Sequence, residues 1–258
     1  MTDPSKPTAH FFWEGLITNF QLLSFKSAYD AGFKVIVWSL TPHTLPDYVE
    51  GKDSREVLAP EVVQHLRMEY WGSPVHSQRA LYSDFFRVAV VDAFGGWWFD
   101  SDVVILKPAR EFENLKQDRQ LVAAFEDPVL NRVNNAVFAF GNKALASEDR
   151  SYMEHLRNNS PSVTPWAFYG PHALTMFLLS RNLFSDILPM SAVYPIPFHI
   201  AERMFSITNS DKAFCERAIK DSYVLHWWNS SVTVHVKSGK PPRGSFFADL
   251  FVKHGFNA

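Results

Sequence analysis

The sequence has very little cysteine, no long apolar run and no excess of charge of one sign. Cys215 is the single cysteine among 258 residues, which excludes an intrachain disulfide and a cysteine-based zinc site. No stretch reaches the roughly 18 consecutive apolar residues of a membrane-spanning helix. Lysine and arginine number 25 against 27 acidic residues, so the formal net charge is -2. Without a basic field, nucleic acid is not an expected partner.

The N-terminal ten residues are polar, contain Pro4 and Pro7, and lack the apolar core of a signal peptide. We therefore expect residues 1–9 to form a flexible N-terminus. The lone cysteine fits a reducing compartment, so the expected location is cytoplasmic, with the inner face of the membrane as an alternative. Hydrophobic residues make up 47% of the chain, which is enough to bury a sizeable core.

Strand and helix patterns alternate through the first half of the chain. Helical spacing predicts helices at 20–31 and 78–94, each followed by glycine. The predicted strands are 10–13, 34–40, 97–106, 121–125 and 136–140. This alternation predicts an α/β fold with a layered sheet.

The remaining segments are less regular. Residues 41–53 are predicted to be a loop, 165–179 a loop followed by an apolar helix, and 193–198 an edge strand with two prolines. Residues 223–227 are predicted to form a short strand. No repeat or linker divides the chain, so one domain is expected over residues 10–258.

The most informative segment is a double glycine followed by three aromatic residues and a pair of aspartates, Asp100 and Asp102. On an extended strand, this spacing points both carboxylates to the same face. Neighbouring carboxylates repel each other unless a cation lies between them, and their oxygens suit hard cations such as Mg²⁺ or Mn²⁺. The pair therefore predicts a metal site at the mouth of a buried sheet, although a polar strand end facing water has the same pattern.

A second charged pair lies just upstream of the aspartates. Asp84 and Arg87 are three residues apart on the helix predicted at 78–94, so they share one face of it. A surface ion pair has the same spacing and contributes little. However, this helix runs directly into the double glycine and the aspartate pair. The chain thus brings three acids and an arginine into one neighbourhood.

The string Ser-Asp-x-x-Arg, followed by Gly-Gly-x-aromatic-x-Asp-x-Asp, resembles the signature of the Asp-x-Asp glycosyltransferases. This family includes bacterial capsular and lipooligosaccharide sugar transferases, the yeast initiating mannosyltransferase and α-1,4-galactosyltransferases. The clostridial glucosylating toxins are distant relatives. Five further segments resemble other motifs of this family, in the family's order along the chain. They are residues 11–15, 134–138, 169–174, 194–197 and 226–231.

The resemblance implies a GT-A fold, an α/β domain whose central sheet is mixed and mostly parallel. Residues 10–108 would form the nucleotide-sugar half, and residues 109–258 the acceptor half and the C-terminal closure. The implied activity is a metal-dependent, retaining hexosyltransferase that serves surface polysaccharide synthesis. The implied donor is a UDP-hexose, with GDP-mannose as an alternative, and the implied acceptor is a glycan or a lipid-linked sugar.

The family motifs also imply roles for individual residues. Asp100 and Asp102 would hold Mn²⁺ or Mg²⁺, with His226 as a candidate third ligand. Asp84 and Arg87 would contact the transferred sugar or a phosphate. The candidate substrate-binding residues are Trp13, Ser83, Trp98, Ser101, Asn135, Tyr169, Gly170, His172, Trp228 and Ser230.

Two positions depart from the family pattern. Trp98 stands where the family usually has tyrosine, which keeps a ring but loses a hydroxyl. Val232 stands where the C-terminal motif usually has tryptophan. Both departures concern the expected donor site.

Two other functions fit parts of the sequence. An apolar strand that ends in Asp-x-Asp is also typical of haloacid-dehalogenase-like phosphohydrolases, although the later aspartates do not supply that family's second metal motif. A non-catalytic glycan-binding relative would share the 15% aromatic content. For residues 246–254, helical apolar spacing beside basic residues predicts either packing against the core, which is favoured, or a peripheral membrane contact.

Overall fold

The computed structural model describes residues 6–70, 73–75, 78–127 and 129–257. The first strand begins at Thr8, two residues before the predicted start at residue 10. Residues 8 and 9, assigned above to a flexible N-terminus, therefore belong to the sheet, whereas residues 1–5 lie outside the described residues. The strand starts early because Lys34 N–H donates a hydrogen bond to the Pro7 carbonyl oxygen, so pairing with the next strand already begins there.

The elements alternate along the first half of the chain and are mainly helical in the second. The strands are β1 Thr8–Phe12, β2 Lys34–Ser39, β3 Val49–Asp53, β4 Arg67–Tyr70, β5 Ser73–Val75, β6 Trp97–Phe99, β7 Val103–Ile105, β8 Leu121–Asp127, β9 Arg132–Phe140, β10 Val163–Pro165 and β11 Val224–His226. The α-helices are α1 Asn19–Asp30, α2 Gln78–Phe94, α3 Ala109–Gln117, α4 Lys143–Asn159, α5 Ala173–Ser180, α6 Met190–Val193, α7 Asn209–Ala218, α8 Thr233–Ser238 and α9 Phe246–Lys253. A π-helical turn, Phe168–His172, precedes α5.

The central sheet has six strands in the order β3-β2-β1-β6-β9-β8. β3, β2, β1 and β6 run parallel, and β9 and β8 pair antiparallel. The expected mixed and mostly parallel α/β sheet is confirmed. The carboxyl ends of the four parallel strands meet at one edge, and Asp100 follows β6 directly at that edge.

The strand predicted at 97–106 is in fact two strands in different sheets, because β7 pairs antiparallel with β11. The bend between them is held by Ser101, whose hydroxyl donates to the Phe12 carbonyl oxygen at 2.8 Å and whose carbonyl accepts from the Ser24 hydroxyl at 2.9 Å. Asp100 and Asp102 therefore lie in a connection between two sheets. The expectation that they share one face of a continuous strand was wrong.

Two other predicted segments differ from the structure. The loop predicted at 41–53 ends in β3, an edge strand whose alternation of charged residues and glycine gave no apolar signal. The edge strand predicted at 193–198 is instead the end of α6 followed by an irregular turn, because Tyr194 N–H closes a helical turn on the Met190 carbonyl. The two prolines that follow, Pro195 and Pro197, offer no N–H to a ladder.

The sheet divides the core into two layers because successive strand residues point to opposite faces. Phe11, Trp97 and Phe99 pack on the face that carries α1 and α9. Phe12 and Trp98 pack on the face that carries α2. Asp84 and Arg87 lie on α2, so they approach the carboxyl edge of the sheet from this second face.

Helix α2 matches the prediction at both ends, and its end positions the aspartate segment. Gly95 and Gly96 follow it with φ of 68° and 79°, a backbone conformation that glycine adopts without strain. A Cβ on Gly96 would lie 2.7 Å from the Thr8 carbonyl oxygen, so only glycine lets the chain turn this close to β1. The turn delivers the chain directly into β6 and the aspartates.

Helix α9 packs against the core through its apolar face, which includes the buried residues Phe247 and Phe251. Their rings lie 5.7 Å and 5.0 Å from that of Phe20. The favoured prediction for this segment is confirmed. The apolar face that a membrane contact through this helix would use is buried, and the alternative of such a contact stays a prediction. Among the described residues, none of the helices is both long and apolar enough to cross a membrane.

Candidate active site

Three side chains that the sequence singled out as metal ligands lie together at the carboxyl edge of the sheet. Asp100, Asp102 and His226 each offer an oxygen or nitrogen atom, and these atoms all lie within 4.8 Å of one another. They come from two segments, the bend after β6 and the end of β11. β11 reaches the bend because His226 is paired with Val103 in the antiparallel ladder between β11 and β7.

The carboxylate of Asp102 is fixed by the segment after β11. Its Oδ2 accepts a hydrogen bond from the Asn229 backbone N–H at 2.9 Å, and its Oδ1 lies 3.3 Å from Nε2 of His226. The Asp102 carbonyl oxygen accepts from Trp227 N–H at 2.9 Å. The C-terminal part of the chain thus holds both the backbone and the side chain of this aspartate.

The imidazole of His226 is oriented by Trp228. The Trp228 backbone N–H donates to Nδ1 of His226 at 3.2 Å, and the two rings lie 4.1 Å apart. Trp228 has a φ of 56°, a strained conformation for a bulky residue, which turns its N–H back toward the ring. Because Nδ1 is an acceptor, the neutral ring carries its proton on Nε2, facing Asp102. A cation on Nε2 would take the place of that proton.

The carboxylate of Asp100 is held by two donors from α2 and β6. The Trp98 indole N–H donates to Oδ1 at 2.7 Å, and Nη1 of Arg87 lies 3.1 Å from the same oxygen. Burial raises the pKa of Asp100 to about 6, Arg87 lowers it, and the neighbouring Asp102 carboxylate raises it. The Asp100 side chain is 26% exposed, so its carboxylate is accessible to a ligand.

Arg87 is almost fully buried, at 6% exposure, and connects several of these groups. Its guanidinium donates to the Asn135 carbonyl oxygen at 2.8 Å and lies 3.3 Å from Asp84, in addition to its contact with Asp100. It also donates to the carbonyl and hydroxyl oxygens of Ser83, both at 3.2 Å. These donors of Arg87 position the carboxylates of Asp84 and Asp100. Its expected contact with a phosphate or a sugar stays a prediction.

Asp84 lies behind Asp100 in a closely packed environment. Its Oδ1 accepts from the side-chain amide of Asn135 at 3.2 Å. Burial raises the pKa of Asp84, while Arg87 and then Asn135 lower it. A Cβ on Gly170 would lie 2.9 Å from Oδ1 of Asp84, so glycine is required where the π-helical turn passes the carboxylate.

Several predicted substrate-binding side chains are buried and bonded to the protein instead. Trp98 is 1% exposed, and its indole binds Asp100. Ser101 fastens the bend to β1, and Tyr169 packs its ring on Phe85 at 5.0 Å. Trp228 covers the ring of His226 and donates to the Ile196 carbonyl oxygen at 2.7 Å. These four residues line the protein side of the site, and direct contact of their side chains with a ligand stays a prediction.

Three other predicted residues keep accessible side chains. Trp13 follows β1 at the carboxyl edge, is partly exposed, and donates its indole N–H to the Leu16 carbonyl oxygen at 3.2 Å. His172 and Ser230 are exposed. Their roles in binding donor or acceptor stay predictions. The substituted residue Val232 is fully buried in the core.

Two neighbours of the cluster had no role in the sequence interpretation. Tyr194 packs its ring 5.6 Å from that of His226. Its hydroxyl is buried and has no hydrogen-bond partner among the described residues. Burial raises the pKa of Tyr194 well above its usual value, and the Glu126 and Asp100 carboxylates add to this. The motif at 194–197 could have indicated Tyr194, whereas the backbone N–H of Asn229 carries no sequence signal.

The donor set at this edge fits a hard divalent cation. Two carboxylates and an imidazole are ligands that Mn²⁺ accepts, and carboxylates are the preferred ligands of Mg²⁺. Asp100 and Asp102 each have hydrogen bonds that fix their direction before any ligand binds. Such outer hydrogen bonds are characteristic of metal-binding carboxylates.

The sequence matches known glycosyltransferases in two ways. The alpha 1,4-glycosyltransferase conserved region matches residues 166–254, which include His226 but not the aspartate pair. Lactosylceramide 4-alpha-galactosyltransferase of Pan troglodytes is 25% identical over 189 residues, covering 66% of this chain and 48% of that protein. The Homo sapiens enzyme of the same name is 26% identical over 162 residues, which cover 57% of this chain and 41% of that protein. The chain thus spans less than half the length of these two relatives.

Solved structures show the same fold at low sequence identity. An active-site mutant of LgtC superposes with a TM-score of 0.52 at 12% identity, covering 85% of this chain and 86% of that chain. The bifunctional glycosyltransferase WbbM superposes with a TM-score of 0.52 at 9% identity, covering 98% of this chain and 50% of that chain. The fold is therefore the GT-A fold. The fold and the sequence matches agree with the resemblance of the motifs to the Asp-x-Asp glycosyltransferases.

Proposed function

We propose that this protein is a metal-dependent glycosyltransferase that moves a hexose from a nucleotide sugar to a glycan or glycolipid acceptor. The proposal is carried by the Asp100, Asp102 and His226 cluster at the carboxyl edge of the parallel strands, where α/β sheets bind ligands. A UDP-hexose is the favoured donor and GDP-mannose the alternative. The names of the sequence relatives make UDP-galactose and a lactose-bearing acceptor the first pair to test.

The proposed chemistry divides between the cation and the residues around it. A bound Mn²⁺ or Mg²⁺ supplies positive charge to the leaving diphosphate. Asp102 and Asp100 are held in place by Asn229, Trp98 and Arg87, so little reorganisation is required when the ligand binds. Asp84, oriented by Asn135, is a hydrogen-bond acceptor for a sugar hydroxyl at the same edge.

The phosphohydrolase alternative is not favoured, because the matched sequence region, the sequence relatives and the fold are those of glycosyltransferases. A role in surface polysaccharide synthesis, a retaining reaction and a cytoplasmic location stay predictions from the sequence.

A thermal-shift panel tests the proposed function. UDP-galactose, UDP-glucose and GDP-mannose are each added with Mn²⁺, with Mg²⁺ and with a chelator. We expect one donor to raise the melting temperature only when metal is present, by several degrees, since a ligand at 100 times its Kd stabilises by about 2.7 kcal/mol. If no combination of donor and metal stabilises the fold, or if stabilisation persists in the chelator, the proposal is wrong.

The contact between Trp98 and Asp100 gives a matched pair of variants. We expect Trp98→Phe to weaken Mn²⁺ binding by about 10-fold, because the carboxylate loses the donor that orients it. Trp97→Phe is the control, since its indole donates to Glu113 at 2.8 Å, away from the cluster. Calorimetric titration with Mn²⁺ measures both affinities. Equal affinities in the two variants would contradict the orienting role of Trp98.

A further inference from the structure

A small cavity lies behind the candidate site, on the side of Asn135 and Gly170. Its volume is about 10 Å³, close to the smallest space that holds one water molecule. Asn135, Gly170 and Asp149 line it together with apolar side chains such as Met153 and Val88. Three elements meet there, namely β9, α4 and the π-helical turn before α5.

Asp149 is the unexplained polar group in this cavity. It is 2% exposed and sits on α4, which packs against α2. In the part of the chain that the structure describes, its carboxyl group forms no hydrogen bond and no ion pair. Burial alone raises the pKa of Asp149 to about 7. Burying a carboxyl group without a hydrogen-bond partner is unfavourable, which indicates that Asp149 contacts a partner such as a water molecule in the cavity.

Asn135 is the other polar side chain on the cavity wall, and its amide oxygen needs a hydrogen-bond donor. Its amide NH₂ group donates to Asp84, so the amide oxygen points elsewhere. None of the described residues donates to that oxygen, and Asn135 is almost fully buried. An acceptor at Asn135 and a carboxyl group at Asp149, facing one water-sized space, are the partners that an internal water requires.

We propose that one ordered water occupies this cavity and joins Asp149 to the side-chain oxygen of Asn135. Asp149 is then a positioning residue. Through the water it holds the Asn135 side chain, whose NH₂ group donates to Asp84, and thereby the direction of the Asp84 carboxylate. The effect on catalysis rests on the proposed function, whereas the water itself does not.

Kinetics of two Asp149 variants test the positioning role. Asp149→Leu removes the polar group and keeps the branch at Cγ, and we expect kcat for sugar transfer to fall about 10-fold, with little change in KM for the donor. Asp149→Asn keeps a hydrogen-bonding group, so we expect it to retain most of the wild-type kcat. Met153→Leu, a swap on the apolar wall of the same cavity, is the control and should leave kcat unchanged.

A high-resolution crystal structure of the wild-type protein without donor tests the water directly. We expect an ordered water within hydrogen-bond distance of Asp149 and Asn135, and its loss in Asp149→Leu. If the water is present but no donor is turned over, the proposed function fails and the water site stands. A dry cavity in the wild type, or a full kcat in a folded Asp149→Leu variant, overturns the inference.

Discussion

Replacement of Asp102 by asparagine is expected to abolish metal-dependent turnover while the fold stays intact. The amide has the shape of the carboxylate, and its oxygen can still accept from Asn229 N–H, so the local backbone should be retained. It lacks the negative charge that a cation beside His226 requires. We expect a loss in kcat/KM greater than the roughly 10- to 100-fold cost of removing a group that only orients a ligand.

The measurement is sugar transfer, and donor hydrolysis in water, as a function of Mn²⁺ concentration. Asp92→Asn is the matched control, because Asp92 lies on α2 and binds Ser147 and Arg150 away from the cluster. Its activity should equal that of the wild type, and circular dichroism should show both variants folded. Full activity of Asp102→Asn at ordinary metal concentration would remove Asp102 from the metal site.

Replacement of Arg87 by alanine is expected to reduce both stability and activity. The change leaves the carboxylates of Asp84 and Asp100 largely buried without their cation. Breaking such a buried pair typically costs about 3–5 kcal/mol of the free energy of unfolding. Without the guanidinium, the pKa of both carboxyl groups rises further, so they bind a cation less well at neutral pH. We therefore expect kcat/KM to fall by about 100-fold or more.

Urea unfolding and steady-state kinetics measure the two effects of the Arg87 change separately. Arg150→Ala is the control, since Arg150 is 38% exposed and pairs with Asp92 on the surface, where such pairs contribute at most about 1 kcal/mol. Arg87→Lys keeps the positive charge but lacks the several N–H donors of the planar guanidinium. Compared with Arg87→Ala, it should therefore restore stability more than activity. An unaltered kcat/KM in Arg87→Ala would remove Arg87 from the site.

The elements that the sequence predicted best are those with strong local signals. Helix α2 has its predicted bounds because helical spacing ends at two glycines that both adopt positive φ. β2 was predicted from a continuous β-branched run that is buried on both faces of the sheet. The grouping of Asp84, Arg87 and the aspartate pair was also predictable, because a helix, a turn and a strand deliver them in one contiguous stretch.

The elements that the sequence did not predict depend on long-range contacts. The break between β6 and β7 arises because the bend at Ser101 bonds to β1 and α1, which are distant in sequence. Nothing local distinguishes this stretch from one long strand. β3 was missed because an edge strand needs no apolar alternation when only a few of its side chains are buried.

The roles of aromatic residues in the site were the least predictable. Trp98 and Tyr169 belong to motifs that suggest ligand contact, yet packing buries both rings. The indole N–H of Trp98 still reaches the site, because it donates to the Asp100 carboxylate. The burial of Asp149 beside Asn135 depends on the packing of α4 against α2, which periodicity alone does not reveal.

The proposed function requires Asp100, Asp102 and His226 to hold a cation that binds the diphosphate of a nucleotide sugar. A crystal structure with Mn²⁺ and a nucleoside diphosphate, with anomalous diffraction collected to locate the metal, tests this requirement. We expect one manganese peak between the two carboxylates and the imidazole, in contact with the diphosphate. A nucleotide bound with no manganese at these three side chains, or with the metal at another position, would contradict it.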